Sequence, residues 1–363
     1  MKKNILYLGF IGFQNLGDEV CYDAFTQRLA LMPGYQAIPY DLREKPSVAE
    51  IFRRSPLRGV VLGGGSLLQG TAFIEPAFEA AGMGLPMWMF GTGVDYFTED
   101  YAKELTSGTP QDTPQMFEDK ELETDKIKKI IRHCRFAGVR GPLTYRFLSS
   151  VAGGDKVRII GDPGLVYMPG KDASLLGLRP GNRFVAVNWG GSFGSIYGHD
   201  EVRTMAGLAD GLRRLIDNLG YGILIYPMWE GDTEPCARLF EAVDRKGRCV
   251  LAPGVGTVNG VCRMLREAAF SIGLKLHANI LSARMGTPFI ALAYRSKCYD
   301  FAGSIDMSGQ CISTSSQGIA DFIISQARAI ASERASMQKS MARYRESYRG
   351  QYEQLWQSIT KTI

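Results

Sequence analysis

Short apolar runs recur along the chain, and each is followed by a glycine-containing turn and a helix-like stretch. Before residue 170 these runs are NILYLGF, RGVVLGGG, LPMWMFGTG, CRFAGVRGP and KVRIIGDPG. They lack the alternation of apolar and polar positions that a half-exposed strand shows, which is typical of parallel strands covered by helices on both faces. The pattern predicts a doubly wound α/β domain over residues 1–172.

The same rhythm begins again after residues 171–182, a stretch rich in turn formers that predicts a linker. RFVAVNW, YGILIYPM, GRCVLAP, AFSIGL and PFIALAY predict the strands of a second doubly wound domain over residues 183–317. Gly220 is expected to follow the end of the helix between the first two of these strands. The chain is therefore predicted to contain two Rossmann-type domains in tandem, facing across a cleft.

Two further segments depart from this rhythm. Residues 318–363 are helical in character and predict a tail that packs on the body. Four of its five aromatic residues fall four apart on one stripe: Tyr344, Tyr348, Tyr352 and Trp356. Residues 98–126 are acidic and contain Gly108, Pro110 and Pro114, so we interpret them as an insertion over loops, with a lid as the alternative.

Composition narrows the class of protein. The 363 residues are 45% hydrophobic and 22% charged, as in soluble globular proteins. The net charge of +5 is modest, and no stripe of Lys and Arg interleaved with aromatics is present, so we expect no nucleic-acid partner. A weak attraction to anionic substrates or to an anionic membrane surface remains. The sequence leaves the oligomeric state open.

The cysteines and the N-terminus indicate the cytoplasm. Seven cysteines, with no C-x-x-C pair, favour free thiols over a disulfide frame or a zinc site. MKKNILYLGFIGF is followed by QNLGDE without a small-residue cleavage site, so we interpret it as a first strand and not as a signal peptide. The longest uncharged stretch, residues 80–94, is shorter than the roughly 20 apolar residues of a membrane span.

Candidate functional residues follow the predicted strands, because parallel sheets bind ligands beyond the carboxyl ends of their strands. In the first half they are Asn15, Gly17, Asp18, Gly64, Gly65, Ser66 and Arg140. In the second half they are Lys275, His277 and Lys297. Each also has a structural interpretation: Asn15 or Asp18 caps a helix, the glycines form a tight turn, and Arg140 forms a salt bridge with Asp162 or the insertion. For the three consecutive glycines we favour proximity to a substrate.

Two familiar motifs are not supported. The segment GFIGFQNLG is not the dinucleotide pattern G-x-G-x-x-G, and no acidic residue stands at the distance that would hold a ribose. Residues 190–194 match the hydrolase elbow G-x-S-x-G, yet a loop follows where a helix should start at once. We therefore expect neither NAD binding nor a serine hydrolase.

The stretch from Ser271 to Tyr299 contains no Asp or Glu, although Lys275, His277 and Lys297 fall within it. Neighbouring cations without a carboxylate repel one another unless a ligand supplies negative charge. His277 lies at a predicted strand-to-helix junction, where it is either a packing residue or a catalyst, and the flanking lysines favour the catalyst. The sequence predicts a site for a small, multiply charged anion, which Arg140 from the other domain would clamp.

The sequence resembles the polysaccharide pyruvyl transferase family over residues 5–303. The resemblance rests on GFIGFQNLGDEVCYDAF, VVLGGGSLLQG, VRGPLTYRFL, IIGDPGLV and KLHANILSARMGTPFIALAYRSKCYDF, in that order. It implies a GT-B-like architecture and transfer of pyruvate from phosphoenolpyruvate onto two hydroxyls of one sugar, which gives a cyclic ketal and phosphate. It implies a sugar acceptor, which a lipid carrier could hold at the inner face of the cytoplasmic membrane, and no cofactor or metal.

The resemblance also implies roles for individual residues. His277 would be the general acid/base, and Arg140, Lys275 and Lys297 would hold the phosphate and carboxylate of phosphoenolpyruvate. Asn15, Gly17, Asp18, Gly64, Gly65 and Ser66 would line the acceptor side of the cleft. The sequence departs from the family pattern in two places: Lys275 stands where arginine is more usual, and Gly141 replaces a common aspartate.

Two other functions remain as alternatives. A GT-B glycosyltransferase would use a nucleotide sugar and commonly holds the ribose with a carboxylate in the second domain, which residues 271–299 do not supply. A non-catalytic glycan- or anion-binding protein would keep the site without turnover. Such a binder would tolerate the loss of His277, whereas a transferase would not.

Overall fold

The computed structural model describes residues 2–107, 123–170, 181, 183–192 and 194–363. The chain forms two compact units. Unit 1 comprises Met1–Phe13, Asp18–Met168 and Arg345–Ile363, and unit 2 comprises Gln14–Gly17 and Pro169–Tyr344. Most of the predicted linker and residues 108–122 of the predicted insertion lie outside the described residues.

Unit 1 contains a six-stranded sheet. Its strands are β1 (Lys3–Leu8), β2 (Tyr35–Pro39), β3 (Leu57–Leu62), β4 (Met87–Thr92), β5 (Cys134–Val139) and β6 (Val157–Ile159). Their order is β2-β1-β3-β4-β5-β6, and all five pairings are parallel. All six residues of β4 are buried, because helices cover both faces of the sheet. Five strands coincide with the predicted runs, whereas β2 was not predicted.

Helices connect these strands. They are α1 (Leu16–Leu29), α2 (Val48–Arg54), α3 (Thr71–Gly82), α4 (Glu99–Ser107), α5 (Thr124–His133) and α6 (Pro142–Ala152). Local sequence explains several of their ends. Ser47 and Glu50 form a reciprocal capping box at the start of α2, and Pro142 occupies the first turn of α6, where its missing N–H is harmless. Helices α4 and α5 show that the predicted insertion contains regular structure at both of its described ends.

Unit 2 contains a second six-stranded sheet. Its strands are β7 (Phe184–Asn188), β8 (Gly222–Tyr226), β9 (Cys249–Leu251), β10 (Phe270–Gly273), β11 (Phe289–Ala293) and β12 (Cys311–Ser313). Their order is β12-β11-β10-β7-β8-β9, again with parallel pairings throughout. All residues of β7, β8, β10 and β11 are buried, as their continuous apolar runs predict. The short strand β12 was not predicted.

The helices of unit 2 include α7 (Glu201–Leu219), α8 (Thr233–Val243), α9 (Val258–Glu267), α10 (Leu276–Met285) and α11 (Ser296–Ser304). Gly220 ends α7 in the left-handed region at φ 69°, which confirms the expectation for this residue. Two alternating βα arrays in one chain confirm the predicted α/β class with two doubly wound sheets.

The C-terminal segment is one helix, α12 (Ile319–Thr362), of 44 residues. It is not a separate unit: its residues up to Tyr344 group with unit 2, and those from Arg345 onward group with unit 1. In unit 1 the Trp356 ring stacks on Phe25 at 5.1 Å between centroids, and the Tyr352 ring meets Phe90 edge-on at 4.8 Å. Tyr352 and Trp356 of the aromatic stripe therefore pack into the core of unit 1, where both are buried.

All seven cysteines are free thiols, as predicted, and six of them are buried. Burial raises the pKa of Cys134 to about 12. Among the described residues, no helix has the length and apolar composition needed to cross a membrane.

Candidate functional site

Each sheet has a topological switch point, where the connections leave the first strand in opposite directions. In unit 1 it lies between β1 and β3, and in unit 2 between β7 and β10. Ligands of parallel sheets bind beyond the carboxyl ends of the strands at such points. Eight of the ten predicted site residues follow these strands along the chain. Asn15, Gly17 and Asp18 follow β1, Gly64, Gly65 and Ser66 follow β3, and Lys275 and His277 follow β10.

The glycine loop after β3 is tightly packed. A Cβ on Gly63 would lie 2.1 Å from the Tyr7 hydroxyl oxygen, and one on Gly64 would lie 2.5 Å from Cys21 Sγ. Gly65 has φ +93°, which disfavours any side chain. Packing or backbone conformation therefore gives each of the three glycines a structural reason, and their proximity to a substrate stays a prediction.

Arg140 and Ser66 lie together in unit 1. The Arg140 side chain is fully buried, and its Nη2 donates to Ser66 Oγ at 3.3 Å. Its backbone N–H donates to the Thr92 carbonyl at 3.0 Å, and a Cβ on Gly93 would lie 2.3 Å from Nη2. Two strand ends, those of β4 and β5, thus fix a guanidinium at the carboxyl edge of the sheet.

Cys21 marks a cluster of charges at the same edge. Burial raises the pKa of its thiol well above the usual value, and the negative charges of Asp162 and Asp18 raise it further, whereas Arg140 opposes them. Asp162 Oδ1 accepts the N–H of Gly164 at 2.9 Å. Asp18 and Arg140 therefore share one electrostatic environment with Asp162. Sequence reasoning considered Asp162 as a partner of Arg140 and did not single out Cys21.

Asn15 and Gly17 belong to unit 2. Asn15 Oδ1 accepts the Gly17 N–H at 3.0 Å in the first turn of α1, which matches the helix-capping interpretation of Asn15. The Leu16 N–H donates to the Met228 carbonyl at 3.1 Å and ties this loop to the end of β8. Asp18 comes after the cap, so the capping role proposed for it is taken by Asn15.

His277 lies in the first turn of α10, where Lys275 occupies the N-cap position. His277 as a whole is 9% exposed. A Cβ on Gly17 would lie 2.3 Å from His277 Nδ1, so the glycine and the imidazole are in direct proximity. The structure thus brings together two predicted site residues that are 260 positions apart in the sequence. A helix N-terminus also favours an anion beside this ring.

Lys275 has an acidic partner. Its Nζ lies 3.1 Å from Asp232 Oδ1 and donates to the Gly191 carbonyl at 2.6 Å. The expectation of a lysine without a carboxylate was wrong at this position. The stretch 271–299 contains no acid, but Asp232 reaches Lys275 from the loop after β8, which adjoins β7 in the sheet. Burial raises the pKa of Asp232, and Lys275 opposes that shift.

Lys297 lies in the first turn of α11, after β11. Because β11 pairs with β10 in parallel, Lys297 and Lys275 follow neighbouring strand ends at one edge of the sheet. The Lys297 side chain is partly exposed, and its Nζ lies 5.0 Å from the centroid of the Tyr294 ring. That Arg140 approaches Lys275, His277 and Lys297 to clamp one anion stays a prediction.

The G-x-S-x-G segment is not a nucleophile elbow. Ser192 donates its hydroxyl to Glu201, and its backbone N–H donates to the same carboxylate at 2.9 Å. Helix α7 begins only at Glu201, so the sharp strand-to-helix turn of a hydrolase is missing here. The loop predicted before the next helix is confirmed.

Solved structures with the same fold share little sequence with this chain. MnaA of S. aureus with UDP has a TM-score of 0.63 at 10% identity and covers 94% of this chain and 91% of its own. The UDP-GlcNAc 2-epimerase of Neisseria meningitidis with UDP-GlcNAc gives 0.56 at 10% identity, covering 94% of both chains. TcCGT1 with UDP gives 0.59 at 10% identity, covering 100% of both.

These likenesses confirm the GT-B-like class with two Rossmann-type domains. None of the curated proteins compared has a significantly similar sequence. The family model described as polysaccharide pyruvyl transferase matches residues 15–296, which include all the predicted site residues except Lys297. Since that match spans well over half of the chain, this protein belongs to the polysaccharide pyruvyl transferase family.

Proposed function

We propose that this protein transfers pyruvate from phosphoenolpyruvate onto two hydroxyls of one glycan sugar, forming a cyclic ketal and releasing phosphate. Family membership supports the pyruvyl transfer and a sugar acceptor. The observation that supports the chemistry is the placement of His277: a buried imidazole in the first turn of α10, beside Lys275 and Gly17, at the switch point of the second sheet.

In the proposed reaction His277 acts as general acid and base. Protonation of the methylene carbon of phosphoenolpyruvate gives an oxocarbenium ion at the central carbon, which one sugar hydroxyl attacks. Phosphate leaves, and a second hydroxyl of the same sugar closes the ring. An imidazole can give and take protons near neutral pH, which typically contributes a factor of about 10² to 10⁴ in rate.

Anion recognition in the proposal relies on Lys275, Lys297 and Arg140. Phosphoenolpyruvate carries close to three negative charges at neutral pH. Asp232 neutralises part of the Lys275 charge, so the N-terminus of α10 becomes an important second source of positive potential. Fixed dipoles and cations of this kind stabilise a departing phosphate, and the proposal requires no cofactor.

For the acceptor we propose the residues of the first two loops: Asn15, Gly17, Asp18, Gly64, Gly65 and Ser66. Asp18 and Ser66 are the members of this set in unit 1 whose side chains can hydrogen-bond to a sugar. The proposed acceptor is a cell-wall or exopolysaccharide sugar. A lipid-linked acceptor would bring the protein to the inner face of the cytoplasmic membrane.

The proposal is tested by incubating the protein with phosphoenolpyruvate and a panel of lipid-linked or nitrophenyl glycosides. We expect phosphate release that depends on the acceptor, together with a product mass that corresponds to a pyruvate ketal. His277→Asn should lower the rate by about 10² to 10⁴ and still bind phosphoenolpyruvate. His199→Asn is the matched control, because His199 is exposed and its backbone has φ 50°, which asparagine tolerates.

Two results would contradict the proposal. Ketal formation by His277→Asn at the wild-type rate would remove its catalytic role. Transfer from a UDP-sugar, with no reaction from phosphoenolpyruvate, would establish the nucleotide-sugar alternative instead.

A further inference from the structure

Lys275 is held by residues at the ends of two neighbouring strands, β7 and β8. Its Nζ donates to the Gly191 carbonyl after β7 and pairs with Asp232 Oδ1 after β8, while its backbone N–H donates to Asn188 Oδ1 at 3.0 Å. An ammonium has three N–H groups. Within the described part of the chain these two contacts use two of them, and the side chain is 21% exposed. One N–H therefore remains for a ligand.

Asp232 is not an incidental surface partner. Its side chain is fully buried, and its Oδ2 accepts the Met228 N–H at 3.3 Å. Burial alone raises the pKa of this carboxyl, while Lys275 opposes the rise. A buried carboxylate is unfavourable unless a cation and hydrogen bonds compensate it, so the two side chains depend on one another.

Gly190 makes room for this pair. A Cβ on Gly190 would lie 2.1 Å from Asp232 Oδ1 and 2.7 Å from Lys275 Cε. Gly190 is not among the glycines with positive φ, so space and not backbone conformation requires the glycine. The next residue differs: a Cβ on Gly191 would meet nothing closer than 3.9 Å. Gly190, the first glycine of the G-x-S-x-G segment, thus leaves space for the Asp232–Lys275 pair and does not form part of a nucleophile elbow.

We propose that Asp232 and Gly190 are positioning residues for Lys275, which direct its remaining N–H to an anionic oxygen of the donor. The inference rests on the proposed function for the identity of that donor. Arginine would present a rigid fork of donors, whereas lysine is a point charge on a flexible stem. Asp232 and the Gly191 carbonyl supply the fixed direction that the lysine stem lacks, which preserves its contribution to binding.

The test is a double-mutant cycle on phosphoenolpyruvate binding. Calorimetry gives the affinity, and steady-state kinetics give the KM. Asp232→Asn keeps the shape of the side chain and should weaken binding about tenfold, the scale of one charge-assisted hydrogen bond, with a smaller effect on kcat. Lys275→Met should weaken it at least as much. The double variant Asp232→Asn/Lys275→Met should bind phosphoenolpyruvate as well as Lys275→Met alone, because Asp232 acts through Lys275. Asp217→Asn, which removes the exposed pair with Arg245, should bind normally.

The direction in which Asp232→Asn changes the affinity for phosphoenolpyruvate distinguishes a positioning role from a simple counter-charge. If Asp232 served only as a counter-charge, its loss would leave the ammonium uncompensated and would tighten anion binding. Unchanged or tighter binding by Asp232→Asn, or independent addition of the two effects, would overturn the positioning role. A wild-type protein that does not bind phosphoenolpyruvate would instead overturn the proposed function, and the inference with it.

A second pair of variants tests the same inference by steric means. Gly190→Ala should displace the Asp232–Lys275 pair and weaken phosphoenolpyruvate binding about as much as Asp232→Asn. Gly254→Ala, where a Cβ would meet nothing within 4 Å and φ is not positive, should bind like wild type. Circular dichroism and thermal unfolding establish that each variant is folded. Wild-type affinity in a folded Gly190→Ala variant would contradict the role of this glycine.

Discussion

The imidazole of His277 occupies the space that a side chain on residue 17 would need, since a Cβ on Gly17 would lie 2.3 Å from Nδ1 and 2.6 Å from Cγ. Gly17 has no positive φ, so close approach alone requires the glycine. The hydrogen bond from Leu16 to Met228 holds this loop in place on unit 2. The backbone at Gly17 therefore limits the position of one side of the His277 imidazole.

Gly17→Ala is expected to reduce the transfer rate about 100-fold, because displacement of a reacting group by about 1 Å can have an effect of that size. The measurement is phosphate release from phosphoenolpyruvate, with thermal unfolding to confirm the fold. Gly254→Ala is the control, since a Cβ there would meet nothing within 4 Å and its φ is not positive. Equal rates for the two variants would show that His277 does not depend on Gly17.

Arg140→Lys is expected to raise the KM for phosphoenolpyruvate by roughly 10- to 100-fold, because a lysine cannot reproduce the planar fork of a fully buried guanidinium. Steady-state kinetics give this value directly. Arg158→Lys is the matched control on the same sheet: Arg158 is exposed, and its Nη1 donates to Gln354 at 3.2 Å. An unchanged KM for Arg140→Lys would assign Arg140 to structure and not to the donor.

Trp356→Ala is expected to lower the free energy of unfolding by about 3–5 kcal/mol, the range for deleting a buried aromatic side chain. Trp356 is 4% exposed and stacks on Phe25. Urea unfolding followed by circular dichroism measures the loss. Gln357→Ala, at the neighbouring exposed position of the same helix, should stay within about 0.5 kcal/mol of wild type. Similar losses in both variants would contradict the packing of the tail into unit 1.

The central strands could be predicted from sequence because each is buried on both faces and therefore forms an unbroken apolar run. β4 and β8 are examples. Two of the four edge strands, β2 and β12, escaped prediction. None of the five residues of β2 is fully buried, and its sequence YQAIP is mixed, while β12 has only three residues. A strand paired on one side only is defined by its neighbour more than by its own residues.

Part of the candidate site was also predictable, because its residues directly follow buried strands that form unbroken apolar runs. Residues that follow buried strands fall at the carboxyl edge of a parallel sheet, which is where the structure places Ser66 with Arg140, and His277 with Lys275. The sequence could not reveal that Asp232 neutralises Lys275. The only signal for Asp232 in the sequence was its position after a predicted strand. Local spacing does not show which loops become neighbours once the strands are ordered in a sheet.

The sequence by itself determined the two α/β arrays, the positions of the chemical groups at strand ends and the family, because apolar periodicity and ordered motifs are local properties of the chain. The tertiary structure decided the partners. Strand order brings the loop after β8 to Lys275, and the hydrogen bond from Leu16 to the Met228 carbonyl holds the loop of Gly17 in unit 2, where Gly17 meets His277. These contacts join residues far apart in sequence, and only the folded backbone sets the distances between them.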